Sequence, residues 1–165
     1  MSYRFSGIKS VQTYAVTMGG VATKNTTLST TVDRNYSVVT LTATTTDSSA
    51  NNPSIDALSA ELTSNTNLRV NANTGDASTH TAYVTVTEYF PHAMKQPVQH
   101  VTVSGATATI TAVGAKAVLF PGGFTSTVGA GGVDNDILVG SELTASTTVT
   151  RRGTGTVKCC VADFK

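Results

Sequence analysis

Three histidines, two adjacent cysteines and ten carboxylates are the groups of this chain that could do chemistry. A metal site needs converging ligands, commonly at tight spacing or with a cysteine partner. His92 and His100 stand eight residues apart across a proline-bearing stretch, and His80 falls in a turn-like one. All three are expected to be solvated or to lie at an interface. Ser, His and Asp are all present, but no Gly-x-Ser-x-Gly elbow accompanies them. Gly129-Ala130-Gly131-Gly132 lacks the Lys-Ser/Thr and the helix of a phosphate loop, so it reads as a connecting loop. Asp134-Asn135-Asp136 resembles a fragment of a calcium loop, but the remaining oxygen ligands and the closing Glu are missing. The expectation is therefore no enzyme and no cofactor, with no catalytic, cofactor-binding or metal residue assigned.

The elements that would position these groups are strands. About a fifth of the 165 residues are Thr, and Val is also abundant. β-Branched side chains suit a pleated, half-buried surface and disfavour helix. Thr81 to Thr87 alternates, with Ala82, Val84 and Val86 on one side. Ala106 to Ala112 alternates small or apolar residues with Thr, and Leu143, Ala145 and Val149 are expected to share a strand face. Only Ser54 to Leu62 has helical spacing, through Ile55, Leu58 and Leu62; it reads as a short helix or a turn. Gly19-Gly20, Phe120-Pro121-Gly122-Gly123 and Gly153-Thr154-Gly155 read as turns.

Formal net charge is +1 and only 13% of residues are charged. Nucleic-acid binding needs clustered Lys and Arg, so no such partner is expected. No run approaches the roughly 20 apolar residues of a membrane helix. The opening residues show no secretory pattern, so synthesis in a cytoplasm is expected.

The most informative feature is an internal likeness. Four blocks recur in order. Lys9 to Thr17 matches Lys95 to Thr102. Thr27 to Val39 matches Thr109 to Leu119. Ala60-Glu61-Leu62-Thr63 to Val70 matches Ser141-Glu142-Leu143-Thr144 to Arg151. Val84 to Tyr89 matches Cys159 to Phe164. The chain is therefore expected to be all-β, with two tandem, pseudo-repeated β-sandwich or β-barrel-like domains. The first spans residues 1–89 with an N-terminal arm, 90–97 form a linker, and 98–165 form the second. A unit of about 75 residues is near the lower limit for its own core, so the two are expected to share buried surface.

The repeat also bears on the reactive groups. Cys159 takes the place of Val84 and is expected to be a buried thiol. Cys160 takes the place of Thr85 and is expected to point the other way, to solvent or to a neighbouring subunit. A bond between the two is disfavoured, because neighbours on a strand face opposite sides. Glu61 matches Glu142, and Glu88 matches Asp163. Carboxylates at equivalent places in different domains do not converge on one site; strand-edge charge or salt bridging is expected.

The first half also resembles small structural proteins of tailed bacteriophages. The likeness is carried by Ile8-Lys9-Ser10-Val11-Gln12, by Val32-Asp33 to Val39, by Leu62 to Thr66, and by the closing Val86 to Tyr89. In the second half the pattern is degenerate: Pro97 replaces the Ser, Gly114 the Asp and Asp163 the Glu. The resemblance implies a virion component made in the host cytoplasm. It implies a capsid decoration (cement) protein, or else a tail, collar or fibre accessory. Its partners would be the major capsid protein or other virion subunits, in a homo-oligomer or in many copies, with no nucleic acid and no membrane. A receptor- or carbohydrate-binding module is a third reading.

Overall fold

The structure, a computed structural model, describes residues 7–45, 57–72, 80–125, 140–153 and 155–165. Most of the N-terminal arm, most of the connections 44–57 and 121–136, the glycine run 129–132 and residues 134–136 lie outside the described residues. What is described is almost all β, with no α-helix.

The first half contains β1 (Ile8–Thr17), β2 (Thr23–Thr27), β3 (Ser37–Thr45), β4 (Leu58–Leu62), β5 (Asn67–Ala72) and β6 (Thr81–Tyr89). The second contains β7 (Gln99–Val103), β8 (Thr107–Thr109), β9 (Ala117–Thr125), β10 (Gly140–Ala145), β11 (Thr148–Arg152) and β12 (Thr156–Asp163). They form three sheets, ordered β1-β6-β3, β10-β11-β8 and β2-β5-β4-β9-β12-β7. Every strand pairing is antiparallel. The last sheet runs through both halves, joined where Ser59 of β4 meets Gly123 of β9.

Side-chain alternation explains β6. Ala82, Val84 and Val86 are buried while Tyr83 is exposed, as the period of two requires. β12 breaks that rule, because Cys159, Cys160, Val161, Ala162 and Asp163 are all buried. Cys159 and Val161 face one core with Val101, Val103 and Val149. Cys160 and Ala162 face another with Val38, Val39, Leu58 and Leu62 of the first half. A strand covered on both faces reads as a continuous apolar run rather than an alternating one. Cys160 is therefore buried, not turned to solvent as the alternation alone suggested.

Three local expectations are corrected. Leu58–Leu62 is a strand, not a helix. β5 and β9 pair with its two edges while both its faces are buried, and a spacing of four residues fits a period of two as well as one of 3.6. Phe120-Pro121-Gly122-Gly123 lies inside β9 rather than in a turn, at a bulge where the β12 register shifts. Leu143 and Val149 do not share one strand: they sit opposite each other across the β10–β11 hairpin, and Ala145 is exposed.

Candidate functional site

Lys9, Ser10 and Asp33 converge on one buried carboxylate. Glu88, near the end of β6, is 2% exposed. Its Oε1 accepts from Lys9 Nζ at 2.9 Å and from the Asp33 backbone N–H at 2.9 Å. Its Oε2 accepts from Ser10 Oγ at 3.2 Å. Burial pushes the Glu88 acid up, but the Asp33 N–H and the Lys9 ammonium outweigh it and hold the group below the ordinary carboxylate value. Asp33 in turn caps the short 3-10 turn Arg34–Tyr36, its Oδ1 accepting from Asn35 N–H at 2.9 Å. Ser37 Oγ donates to the Asp33 carbonyl at 2.7 Å. The Gln12 amide brackets Thr30, donating to its carbonyl at 2.9 Å and accepting from its N–H at 3.0 Å. These bonds fasten the β2–β3 connection to β1 and β6.

The second half makes corresponding bonds. Asp163 Oδ2 accepts from Gly114 N–H at 2.8 Å and lies 3.9 Å from Lys95 Nζ. The Gln99 amide brackets Thr111 at 2.9 and 2.6 Å. Leu28 and Val32 donate their N–H groups to the carbonyls of Thr66 and Asn65. Ile110 and Val113 do so to Thr147 and Ser146. The second set is weaker at the carboxylate: Lys95 stands beyond hydrogen-bond distance, and Asp163 Oδ1 is buried without a hydrogen-bond partner. Ser10 supplies the corresponding hydroxyl in the first half, and Pro97 stands in its place in the sequence match.

A second cluster lies where the halves meet. A pocket of about 130 Å³ is lined by Arg34, Glu61, His100, Lys158 and Cys160, among others. Glu61 Oε2 accepts from Lys158 Nζ at 2.9 Å, and Oε1 accepts from Arg69 Nε and Nη2 at 3.0 and 2.7 Å. Burial raises the Glu61 acid, but Lys158 and Arg69 together hold it below its ordinary value. His100 Nε2 lies 2.9 Å from the Arg34 carbonyl oxygen. A carbonyl can only accept, so Nε2 carries the proton and Nδ1 is left as an acceptor. Nδ1 faces Cys160 Sγ at 3.5 Å.

That contact brings a cysteine and a histidine together without making a nucleophile. Burial pushes the Cys160 thiol up to about 12 and pushes the His100 imidazolium down. At neutral pH both are uncharged, whereas a reactive cysteine needs its thiolate. Cys160 Sγ instead sits 3.5 Å from the Val39 N–H. The cluster is a tie between halves, with its acid neutralised by two cations.

Of the other groups singled out by sequence, Cys159 also lines this pocket, while His80, His92 and Glu142 are not among its lining residues. His80 is buried at 1% exposure rather than solvated in a turn. His92 is exposed and stacks on Phe90, ring centroids 5.3 Å apart. Glu142 is hydrogen-bonded to Arg152. Cys159 is buried, and its burial raises its thiol above the ordinary value. Among the described residues no group of three His, Cys, Asp or Glu is placed to hold a metal, and no helix is long and apolar enough to cross a membrane. Sequence reading missed Lys158, Arg69 and Arg34. Arg69 was open to it as the cross-strand partner of Glu61 in the β4–β5 hairpin; the long-range pairing to Lys158 left no local signal.

No family model, curated protein or solved structure matches the chain.

Proposed function

We propose that this chain is a bacteriophage virion structural protein that decorates and stabilises the capsid shell by binding the major capsid protein. The observation that carries the reading is the convergence on Glu88. Lys9, Ser10, Asp33 and Glu88 belong to the pattern shared with phage structural proteins, and their polar groups are spent on one another. Such a pattern is a scaffold signature, which suits a protein whose work is to present surfaces. Many copies, each contributing modest binding energy, would stabilise a shell through multivalency.

We also propose that the two halves descend from one duplicated unit. The pairing orders support this: β1-β6-β3 and β2-β5-β4 in the first half, β7-β12-β9 and β8-β11-β10 in the second. So do the paired bonds of Glu88 with Asp163 and of Gln12 with Gln99.

The alternative role is a tail, collar or fibre accessory of the same virion. Particles assembled without this protein separate the two. Shells that rupture at lower temperature or lower salt than complete ones, and are restored by adding the protein, support decoration. Shells of normal strength with missing or non-adsorbing tails would sink it in favour of the accessory role.

A further inference from the structure

His100 sits in a chain of hydrogen bonds that starts and ends on the backbone of the first half. The Val39 N–H of β3 lies 3.5 Å from Cys160 Sγ, which accepts it. Cys160 Sγ lies 3.5 Å from His100 Nδ1. His100 Nε2 donates to the Arg34 carbonyl at 2.9 Å. With Nε2 protonated, Nδ1 is an acceptor, and the thiol hydrogen of Cys160 is the donor that faces it. The chain therefore runs in one direction, from Val39 through the thiol and the imidazole to Arg34. Both side chains in its middle belong to the second half, paired across β7 and β12.

The turn Arg34–Tyr36 is the piece of the first half that this chain holds. Val98 N–H donates to the Asn35 carbonyl at 2.7 Å, beside the His100 contact. The second half thus grips two successive carbonyls of one turn. One is held by a backbone N–H and the other by a side chain that can titrate.

The surroundings leave no counter-ion free for a charged imidazole. Arg34, Lys158 and Glu61 line the same pocket as His100. Glu61 of β4 is the only carboxylate among the lining residues, and it already accepts from Lys158 of β12 and Arg69 of β5. β3, β7 and β9 bring no other ionisable side chain. On β12, Cys159 faces the other core and Asp163 is turned to the Gly114 N–H. A proton on Nδ1 also sets an N–H against the S–H that was donating to it, so the thiol loses its acceptor. Burial disfavours the charged ring as well and holds His100 neutral below its ordinary 6.5. Opening the joint returns the ring to water and lifts all three penalties.

We propose that His100 is a proton-operated latch between the two halves. Neutral, it ties Arg34 to Cys160 through one line of bonds. Charged, it lets go of the turn Arg34–Tyr36 and loosens the second half's grip on the first. The device is local: the joint opens while β1-β6-β3 and β10-β11-β8 stay paired. Its window lies between 6.5 and 4.5, above the range in which Glu61 and Glu88 take up protons.

The test is hydrogen exchange of the full chain from pH 7.5 to 4.5, corrected for the intrinsic pH dependence of each amide. In the wild type the Val39 and Val98 amides are expected to lose protection by up to about tenfold per pH unit below 6.5, the limit for one proton taken up on opening. Val84 of β6 and Val149 of β11 are expected to keep theirs. His100→Gln retains an amide nitrogen to donate to the Arg34 carbonyl but does not titrate, so its Val39 and Val98 amides are expected to show no such loss. A wild type whose joint amides stay fully protected to pH 4.5 overturns the proposal, whether or not the variant folds. So does a loss shared equally by Val84 and Val149, which is global unfolding. So does a loss that persists in His100→Gln, as a response of the buried His80 would. No shell is present in these measurements, so they stand or fall separately from shell binding.

Discussion

Glu61 and Lys158 are 97 residues apart in the chain and form an ion pair of 2.9 Å across the junction of the two halves. Both side chains are less than one-fifth exposed. Arg69 shares the carboxylate, and Lys158 Nζ also donates to Thr102 Oγ1 at 2.8 Å. A pair this well enclosed is screened less than a surface pair, and removing one member strands the other. Lys158→Met and Glu61→Gln are each expected to destabilise by about 1–3 kcal/mol, with the double variant costing less than their sum. Urea unfolding of the four proteins gives the coupling; strict additivity would show that the two groups do not interact.

Glu88 is the more sensitive carboxylate. Its three donors come from Lys9, Ser10 and the Asp33 backbone, and the last of these is a backbone N–H fixed by the connection that carries it. Glu88→Ala is expected to cost about 2–3 kcal/mol, since it leaves the Asp33 N–H without its acceptor, while the half-exposed Lys9 ammonium turns to water. Glu88→Gln keeps an acceptor oxygen and should lose roughly half of that. Asp163→Ala should cost less than Glu88→Ala, because Asp163 has one firm donor, Gly114 N–H, and one oxygen without a partner. Denaturant midpoints of the three variants check the order.

Much of this was legible in the sequence, for reasons that differ by element. The period of two in β6 survives because only one face of that strand is buried. The same reading failed to bury Cys160, since nothing local marks a strand covered on both faces by residues from the other half. Leu58 and Leu62 were ambiguous because four residues is a whole number of strand repeats and nearly one helical turn. The Gly122-Gly123 pair read as a turn because close approach by a distant strand uses the same residue type as a tight reversal. Glu88 was visible as a shared acidic ending, but its convergence with Lys9, Ser10 and Asp33 depends on strand order, which spacing does not encode.

The glycine at 123 separates backbone strain from simple loss of freedom. Gly123→Ala meets the Leu58 carbonyl oxygen and a left-handed φ together, so a loss of about 2–4 kcal/mol is expected. Gly105→Ala is the control, since its nearest neighbour to a new Cβ is 3.9 Å away and its φ is ordinary. It should change stability by less than about 0.5 kcal/mol. Thermal unfolding under one buffer compares them. Equal effects at the two positions would show that β4 does not press on β9 at Gly123.

Stability should fall at both ends of the pH scale, by opposite routes. Glu61 and Glu88 sit below their ordinary value of 4.5 in the folded chain. The unfolded chain then binds more protons as pH drops, so their contribution, complete above that value, is lost as pH falls through the lowered folded values. His100 adds to the acid side: it is held neutral below its ordinary 6.5, so unfolding takes up its proton as pH falls from there. Cys160 acts in the other direction. Its thiol is raised from 9.0 to about 12, so unfolding releases a proton above pH 9 and stability declines from there to about 12. Cys160→Ser keeps a small hydroxyl that does not ionise in this range, so its stability curve should stay flatter between pH 9 and 11 than the wild type's. Glu88→Gln should flatten the acid arm and leave the alkaline one alone. Urea midpoints taken across pH 3 to 11 measure both arms. An alkaline decline of the same size in Cys160→Ser would mean that some group other than this thiol governs it.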